Sequence, residues 1–285
     1  MNRLNGATAD ASERLGFAVR VAREAGARVL EHYGETEHAT KSGGSPVTAA
    51  DLASNAHIVT SIRQAWPGEG VLSEESADES GRREAAWVWV VDPLDGTREF
   101  LARNGEFSVM IGLLERDRPV LGVVYLPASG TLYAAERGRG AWRETADGTR
   151  ERLWRTGGRP AEIRMVGSRS HGEPLLARMA AALAVKDVRP SGSVGIKCAR
   201  IAEGDRDLYI HPVPWLKEWD TCAPEVLLSE AGGIVTDCRG AALCYNKETP
   251  AQPDGILACV AALHAPVLER IGPLYAAAMD AVAGE

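Results

Sequence analysis

The 285-residue sequence has no apolar run approaching the roughly 20 residues that a membrane-spanning helix needs. It also lacks any basic run. With a formal net charge of −7, it offers no field to neutralise the phosphates of a nucleic-acid polymer. The opening residues, Met1 to Asp10, are polar and carry no apolar secretory core, so cytoplasmic residence is expected. The five cysteines (Cys198, Cys222, Cys238, Cys244 and Cys259) all fall in the second half and show no C-x-x-C spacing. That pattern favours neither a zinc site nor a disulfide framework and suits reduced, structural thiols. What remains is a globular composition, 45% hydrophobic and 25% charged, long enough for one large domain or two moderate ones. A small phosphorylated ligand stays compatible with the acidic balance, because a bound metal supplies positive charge locally.

The stretch "VVDPLDGTREF" places two carboxylates, Asp92 and Asp95, directly after the apolar run Trp87–Val91. That run reads as a buried strand. Asp92 is then delivered at a strand end, where open α/β architectures bind ligands. Asp, Pro and Gly are also turn formers, so a tight turn is an equal account of "DPLDG".

Helical spacing predicts a first helix from about Ala11 to Tyr33, ended by Gly34. Lys41–Pro46 reads as a flexible loop. Thr48 then caps a second helix that "WPG" stops, with Asp51 in its first turn. Strands are expected at Phe107–Leu114, Val120–Leu126 and Thr131–Ala135. A polar, irregular stretch around Thr145–Pro160 suggests a boundary between a first domain, 1–154, and a second, 155–285. Beyond it, strand and helix signals alternate: strands at Ile163–Val166, Leu208–His211, Ile234–Thr236 and Ile256–Val260, and helices across Leu175–Leu183, Ser193–Glu203, Asp220–Ala231 and Ala265–Ala281. Such alternation favours a layered α/β architecture.

Four acids stand at element ends: Glu74 after Val71-Leu72, Asp92 and Asp95 after the Trp87 strand, and Asp220 in "EWDTCAPE". Each has a plain alternative: a surface acid, a turn pair, an N-cap. Together they form a set of hard oxygen donors suited to Mg²⁺, which binds through a few carboxylates and substrate phosphate. Gly96 and Thr97, just beyond Asp95, stand where a helix start would turn backbone N–H groups toward a phosphate.

"GSPVTAAD", "LSEES", "VVDPLDGTREF" and "EWDTCAPEVLLSEAGG", in this order, resemble the inositol-monophosphatase-like superfamily of magnesium-dependent, lithium-sensitive phosphomonoesterases. Within it, "DGTREFLARNGEFSV" and "KEWDTCAPEVLL" are most similar to the 3′(2′),5′-bisphosphate nucleotidases, which remove the 3′-phosphate of 3′-phosphoadenosine 5′-phosphate. Some of these enzymes also act on the corresponding phosphosulfate. The resemblance implies an α/β/α/β/α sandwich of two sub-domains with the site between them. It implies two or three Mg²⁺ ions. Glu74, Asp92 and the Leu94 carbonyl would hold one, and Asp92, Asp95 and Asp220 a second. A third, weaker ion would lie near Glu74. Asp51 and Thr97 would be the water-activating couple, and the Gly96 and Thr97 amides would take the phosphate.

Ser168, His171, Ser193 and Lys197 resemble positions that hold the nucleotide, with Lys197 a partner for the 5′-phosphate and otherwise an ordinary exposed lysine. The expected partner is thus a small phosphorylated nucleotide, for a monomer or homodimer. His211 stands where some relatives carry an arginine or an aromatic residue, and where inositol-specific relatives have an acid. Other readings are an inositol monophosphatase or fructose-1,6-bisphosphatase of the same fold, a phosphatase with an aspartyl nucleophile, and a non-catalytic metal- or nucleotide-binding protein. The aspartyl chemistry wants its aspartates two apart, whereas Asp92 and Asp95 are three apart.

Overall fold

The apolar runs assemble into two sheets with helices outside and between them. The structure is a computed structural model that describes residues 4–35, 37–41, 46–155, 158, 160–169 and 174–283. In chain order, α1 (Leu4–Glu31) is followed by the short strands β1 (Ala39–Thr40) and β2 (Pro46–Val47), then α2 (Ala49–Ala65). A seven-stranded sheet comes next: β3 (Gly70–Ser73), β4 (Trp87–Asp95), β5 (Ser108–Glu115), β6 (Arg118–Leu126), β7 (Thr131–Glu136), β8 (Gly140–Glu144) and β9 (Arg150–Leu153), paired in sequence order. The short helix α3 (Thr97–Leu101) interrupts it after β4. The second half contains β10 (Arg164–Ser168), α4 (Pro174–Ala182), β11 (Asp187–Ser191), α5 (Val194–Ala202), β12 (Leu208–His211), α6 (Glu218–Glu230), β13 (Gly233–Thr236), β14 (Ile256–Val260) and α7 (His264–Ala283). Its five strands are ordered β11-β10-β12-β14-β13, parallel among the first three and antiparallel beyond.

Strand periodicity sorts the side chains of the first sheet. Trp89, Val91, Ile111 and Val123 point to one face and pack with Leu15, Val21, Ile58 and Ile62 of α1 and α2. Met110 and Val124 point to the other face and join Cys198 of α5, Leu227 of α6 and Tyr209 of β12 in one buried cluster. Helices α5 and α6 therefore lie between the sheets, and α4 and α7 cover the far side of the second. This is the α/β/α/β/α layering. The first sheet ends at Leu153 and the second begins at Arg164, on either side of the expected boundary, yet the halves share that central core. Among the described residues, no helix is long and apolar enough to cross a membrane.

Helix α6 lies close against the first sheet because two glycines make room for it. Gly112 of β5 and Gly122 of β6 are direct cross-strand partners. A Cβ at Gly112 would come within 3.1 Å of Cys222 Cβ, and one at Gly122 within 2.8 Å of Ala223 Cα. No side chain larger than hydrogen fits at either place without moving the helix.

Several expectations need correction. The first helix begins at Leu4 rather than near Ala11. Strands β8, β9 and β11 were not anticipated. Strand β8 starts on a glycine at φ +90°, β9 is polar and lies at a sheet edge, and β11 is an exposed edge strand carrying Pro190. Proline is tolerated at an edge because no neighbouring strand needs its missing N–H there. "DPLD" is not a tight turn: β4 continues through it, with Asp92 opposite Met110 and Asp95 opposite Ser108. Three residues on one strand thus face two on the other, a bulge. Ser54 pins it by donating to the Pro93 carbonyl at 2.8 Å. Of the expected Lys41–Pro46 loop, residues 42–45 lie outside the described residues.

Candidate active site

A cavity of about 680 Å³ opens where the β4 bulge, the start of α5 and the start of α6 meet. The bulge explains the aspartate spacing. One extra residue re-aims the strand, and both Asp92 and Asp95 line the same cavity instead of following simple alternation. Asp220 comes from the first turn of α6, where its Oδ2 accepts the Lys217 N–H at 2.6 Å. Oxygens of Asp92, Asp95 and Asp220 lie within 4.8 Å of one another.

These carboxyls strain one another electrostatically. Burial and the charges of Glu74, Asp95 and Asp220 push the Asp92 carboxyl well above its ordinary value, and a bond from the Leu94 N–H at 3.0 Å only partly offsets this. Burial, Asp95 and Glu74 do the same to Asp220. Burial also raises Asp95, opposed by Lys197 and by donors at the start of α5. Buried like charges of this kind demand a cation or protons. The donor set is all hard oxygen, which fits Mg²⁺. Cys222, the one soft group near Asp220 in sequence, is fully buried among Leu72, Val88 and Leu114.

Glu74 also lines the cavity, and its charge is the largest acting on Asp92. Its Oε1 accepts from Lys41 Nζ at 2.7 Å, and Lys41 also bonds Glu75. Burial works against the Lys41 ammonium, but the two glutamates outweigh it and raise its pKa. Lys41 is a site residue that sequence reasoning missed, because only the fold brings it to "SEES".

Each oxygen of Asp51 has its own partner, one in the helix cap and one in Thr97. Its Oδ2 closes the capping box of α2, accepting from Thr48 N at 2.7 Å and Thr48 Oγ1 at 2.6 Å. Its Oδ1 accepts from Thr97 Oγ1 at 3.1 Å. Thr97 Oγ1 also lies 3.3 Å from the Leu94 carbonyl. Burial raises the Asp51 carboxyl, and the bonds from Thr48 and Thr97 moderate the rise. Gly96 precedes α3 at φ +96°, and a Cβ there would sit 2.9 Å from the Glu106 carbonyl. The fold itself demands glycine at this position, whatever the ligand.

The second half supplies further lining residues. Lys197 is only 4% exposed, so it is no ordinary surface lysine. Its Nζ stands 5.1 Å above the Tyr209 ring. Burial lowers its pKa, and Asp95 and Glu99 pull it back up. Ser193, expected at the nucleotide, lines the cavity; it donates to Asp95 Oδ2 at 2.6 Å and caps α5 by accepting from Ile196 N at 3.1 Å. Ser168 lines the cavity at the end of β10. His171 lies outside the described residues. His211 is buried, its ring 6.5 Å from Tyr209 and 6.3 Å from Trp215, while Trp215 is 54% exposed at the cavity. Trp215, just before the quoted "KEWD" motif, was not expected at the site, although a second tryptophan four residues ahead of Trp219 was the available signal.

Residues 10–270 match the inositol monophosphatase family along most of the chain. The chain belongs to that family. Among its relatives, the 3′(2′),5′-bisphosphate nucleotidase CysQ of Escherichia coli K12 is 38% identical over 233 residues, covering 80% of this chain and 92% of the relative. The Nus factor SuhB of the same organism is 33% identical over 240 residues, covering 79% and 85%. The crystal structure of CysQ from Bacteroides thetaiotaomicron, described as a bacterial member of the inositol monophosphatase family, superposes with a TM-score of 0.75 at 32% identity, covering 87% of this chain and 97% of that one.

Proposed function

We propose that the chain is a Mg²⁺-dependent 3′(2′),5′-bisphosphate nucleotidase that removes the 3′-phosphate of 3′-phosphoadenosine 5′-phosphate, with the related phosphosulfate a further candidate. One observation carries the reading. A single cavity is lined by Asp92, Asp95 and Asp220, beside the Asp51–Thr97 pair, and by the buried cation Lys197, whose charge acts on Asp95. A substrate with two phosphates finds there both acids that would hold cations and a cationic side chain of the protein. The similarity to the nucleotidases named above supports the same substrate class.

Asp92, Asp95 and Asp220, with Glu74 and the Leu94 carbonyl beside them, would hold two or three Mg²⁺ ions. When bound, these lower the pKa of water and stabilise charge on the departing oxygen. The chain's own groups do the rest. Thr97 Oγ1 orients the attacking water and donates to Asp51 Oδ1, so the proton leaving the water passes through the threonine hydroxyl to the carboxylate. The buried, raised carboxyl of Asp51 favours accepting it. The Gly96 and Thr97 amides face the phosphate. Lys197 holds the 5′-phosphate as a point charge, which sets the 3′-ester at the aspartates.

Phosphate release from 3′-phosphoadenosine 5′-phosphate, inositol 1-phosphate and fructose 1,6-bisphosphate, each with Mg²⁺ and with or without Li⁺, tests the proposal. The nucleotide should turn over best and lithium should inhibit. If the nucleotide were the poorest of the three, the substrate reading would be lost. Full turnover by Asp95→Asn would remove the catalytic role of the aspartates.

A further inference from the structure

Asp95 has two oxygens, and one of them is already committed. Oδ2 accepts from Ser193 Oγ at 2.6 Å and from Gly195 N at 3.1 Å, both at the start of α5. The donors come from the second half of the chain and the carboxylate from the first, so these bonds span the cleft between them. Ser193 is itself held in place. Its Oγ lies 2.9 Å from Ser108 Oγ on β5, directly opposite Asp95 in the β4–β5 register. The preceding residue, Gly192, donates its N–H to Glu106 Oε2 at 2.9 Å, and the same oxygen takes Arg169 Nε at 3.0 Å. The backbone at Ser193 has φ +45°, a region that favours glycine, so a serine persists there against local strain.

We propose that Ser193 is a positioning residue that ties up Asp95 Oδ2 and leaves Oδ1 as the single oxygen offered to the cation shared with Asp92 and Asp220. The hydroxyl then acts on metal affinity rather than on the nucleotide, which separates it from Lys197 one turn further along α5. A carboxylate fixed by outer donors is oriented for one-oxygen coordination, and loss of such a donor typically weakens metal binding about 10- to 100-fold. This inference rests on the metal-dependent reading given above.

The test is a Mn²⁺ titration of substrate-free protein, followed by the electron paramagnetic resonance of the free ion, on the wild type, Ser193→Ala and Ser193→Gly. Both variants should bind Mn²⁺ about tenfold more weakly or worse, while KM for the nucleotide at saturating metal stays within about twofold. Glycine relieves the positive φ as it removes the hydroxyl, so Ser193→Gly remains a folded test even if the alanine variant is unstable. Unchanged Mn²⁺ affinity in a folded variant, or a raised KM with unchanged metal affinity, would overturn the proposal and return Ser193 to the substrate. A wild type that binds no Mn²⁺ would instead sink the metal-dependent reading itself.

Discussion

Replacing Lys197 by methionine shortens the side chain by one atom and removes its charge, and the proposed role of the lysine predicts two opposite consequences. The ammonium is buried on α5, over Tyr209, where Asp95 and Glu99 stabilise it. Toward an anionic 5′-phosphate it would supply a charge-assisted bond of about 1.5–3 kcal/mol. Its loss should lower kcat/KM for 3′-phosphoadenosine 5′-phosphate roughly 10- to 150-fold, since about 1.4 kcal/mol is a factor of ten. Adenosine 3′-monophosphate lacks the second phosphate and should be spared. Toward a metal the same ammonium is a like charge beside the aspartates, so the variant should reach half-maximal activity at lower Mg²⁺. The assay is phosphate release from both nucleotides across a Mg²⁺ series. Equal losses on the two substrates, or a higher Mg²⁺ requirement, would refute the assignment and leave Lys197 as a counter-charge that only balances the acids.

Thr97→Val removes the hydroxyl that donates to Asp51 and, on the proposed relay, should cost about 10²- to 10⁴-fold in kcat, with KM little changed, in steady-state kinetics. Burial lifts the Glu225 carboxyl of α6 to about 7 from 4.5, against a 2.6 Å bond from the Tyr245 hydroxyl. Its folded value lies above its unfolded one, so ionisation opposes folding: the cost is absent below about pH 4.5, grows through the interval and is complete above about 7. At about 1.36 kcal/mol per pH unit, the cost reaches roughly 3 kcal/mol. Glu225→Gln should therefore raise Tm at pH 8 and leave it nearly unchanged at pH 4.5, as thermal melts at the two pH values will show. Chelation should abolish turnover, and restoring Mg²⁺ to a hundred times its Kd should stabilise the fold by about 2.7 kcal/mol. That gain in Tm should vanish in Asp95→Asn.

The parts of the fold legible in the sequence were those with a strong local cause. The Trp87 strand is buried on both faces and so reads as continuous apolar sequence. Thr48 announces α2 through a complete capping box. Strands β9 and β11 carry no such signal, because an exposed edge strand buries too little to impose a pattern. The carboxylates of the site were legible as types, and their convergence required the fold. Asp51 and Asp220 are both third residues of helices that reach back to an amide, a local habit that looks identical with or without a site. The links of Lys41 to Glu74 and of Ser193 to Asp95 were illegible for another reason. They join segments 33 and 98 residues apart, and nothing at either end announces the other.

The paired glycines of β5 and β6 set a dimension of the chemistry they never touch. Helix α6 carries Asp220, and how deeply it seats decides how far that carboxylate stands from the two on β4. Two absent methyl groups thus act as the shim that gauges the gap a cation must bridge. One carbon added at Gly122 would wedge the helix outward, and a displacement of about 1 Å is enough to cost two orders of magnitude in rate. The resulting protein would keep its layers and its cavity and lose its grip on the ion.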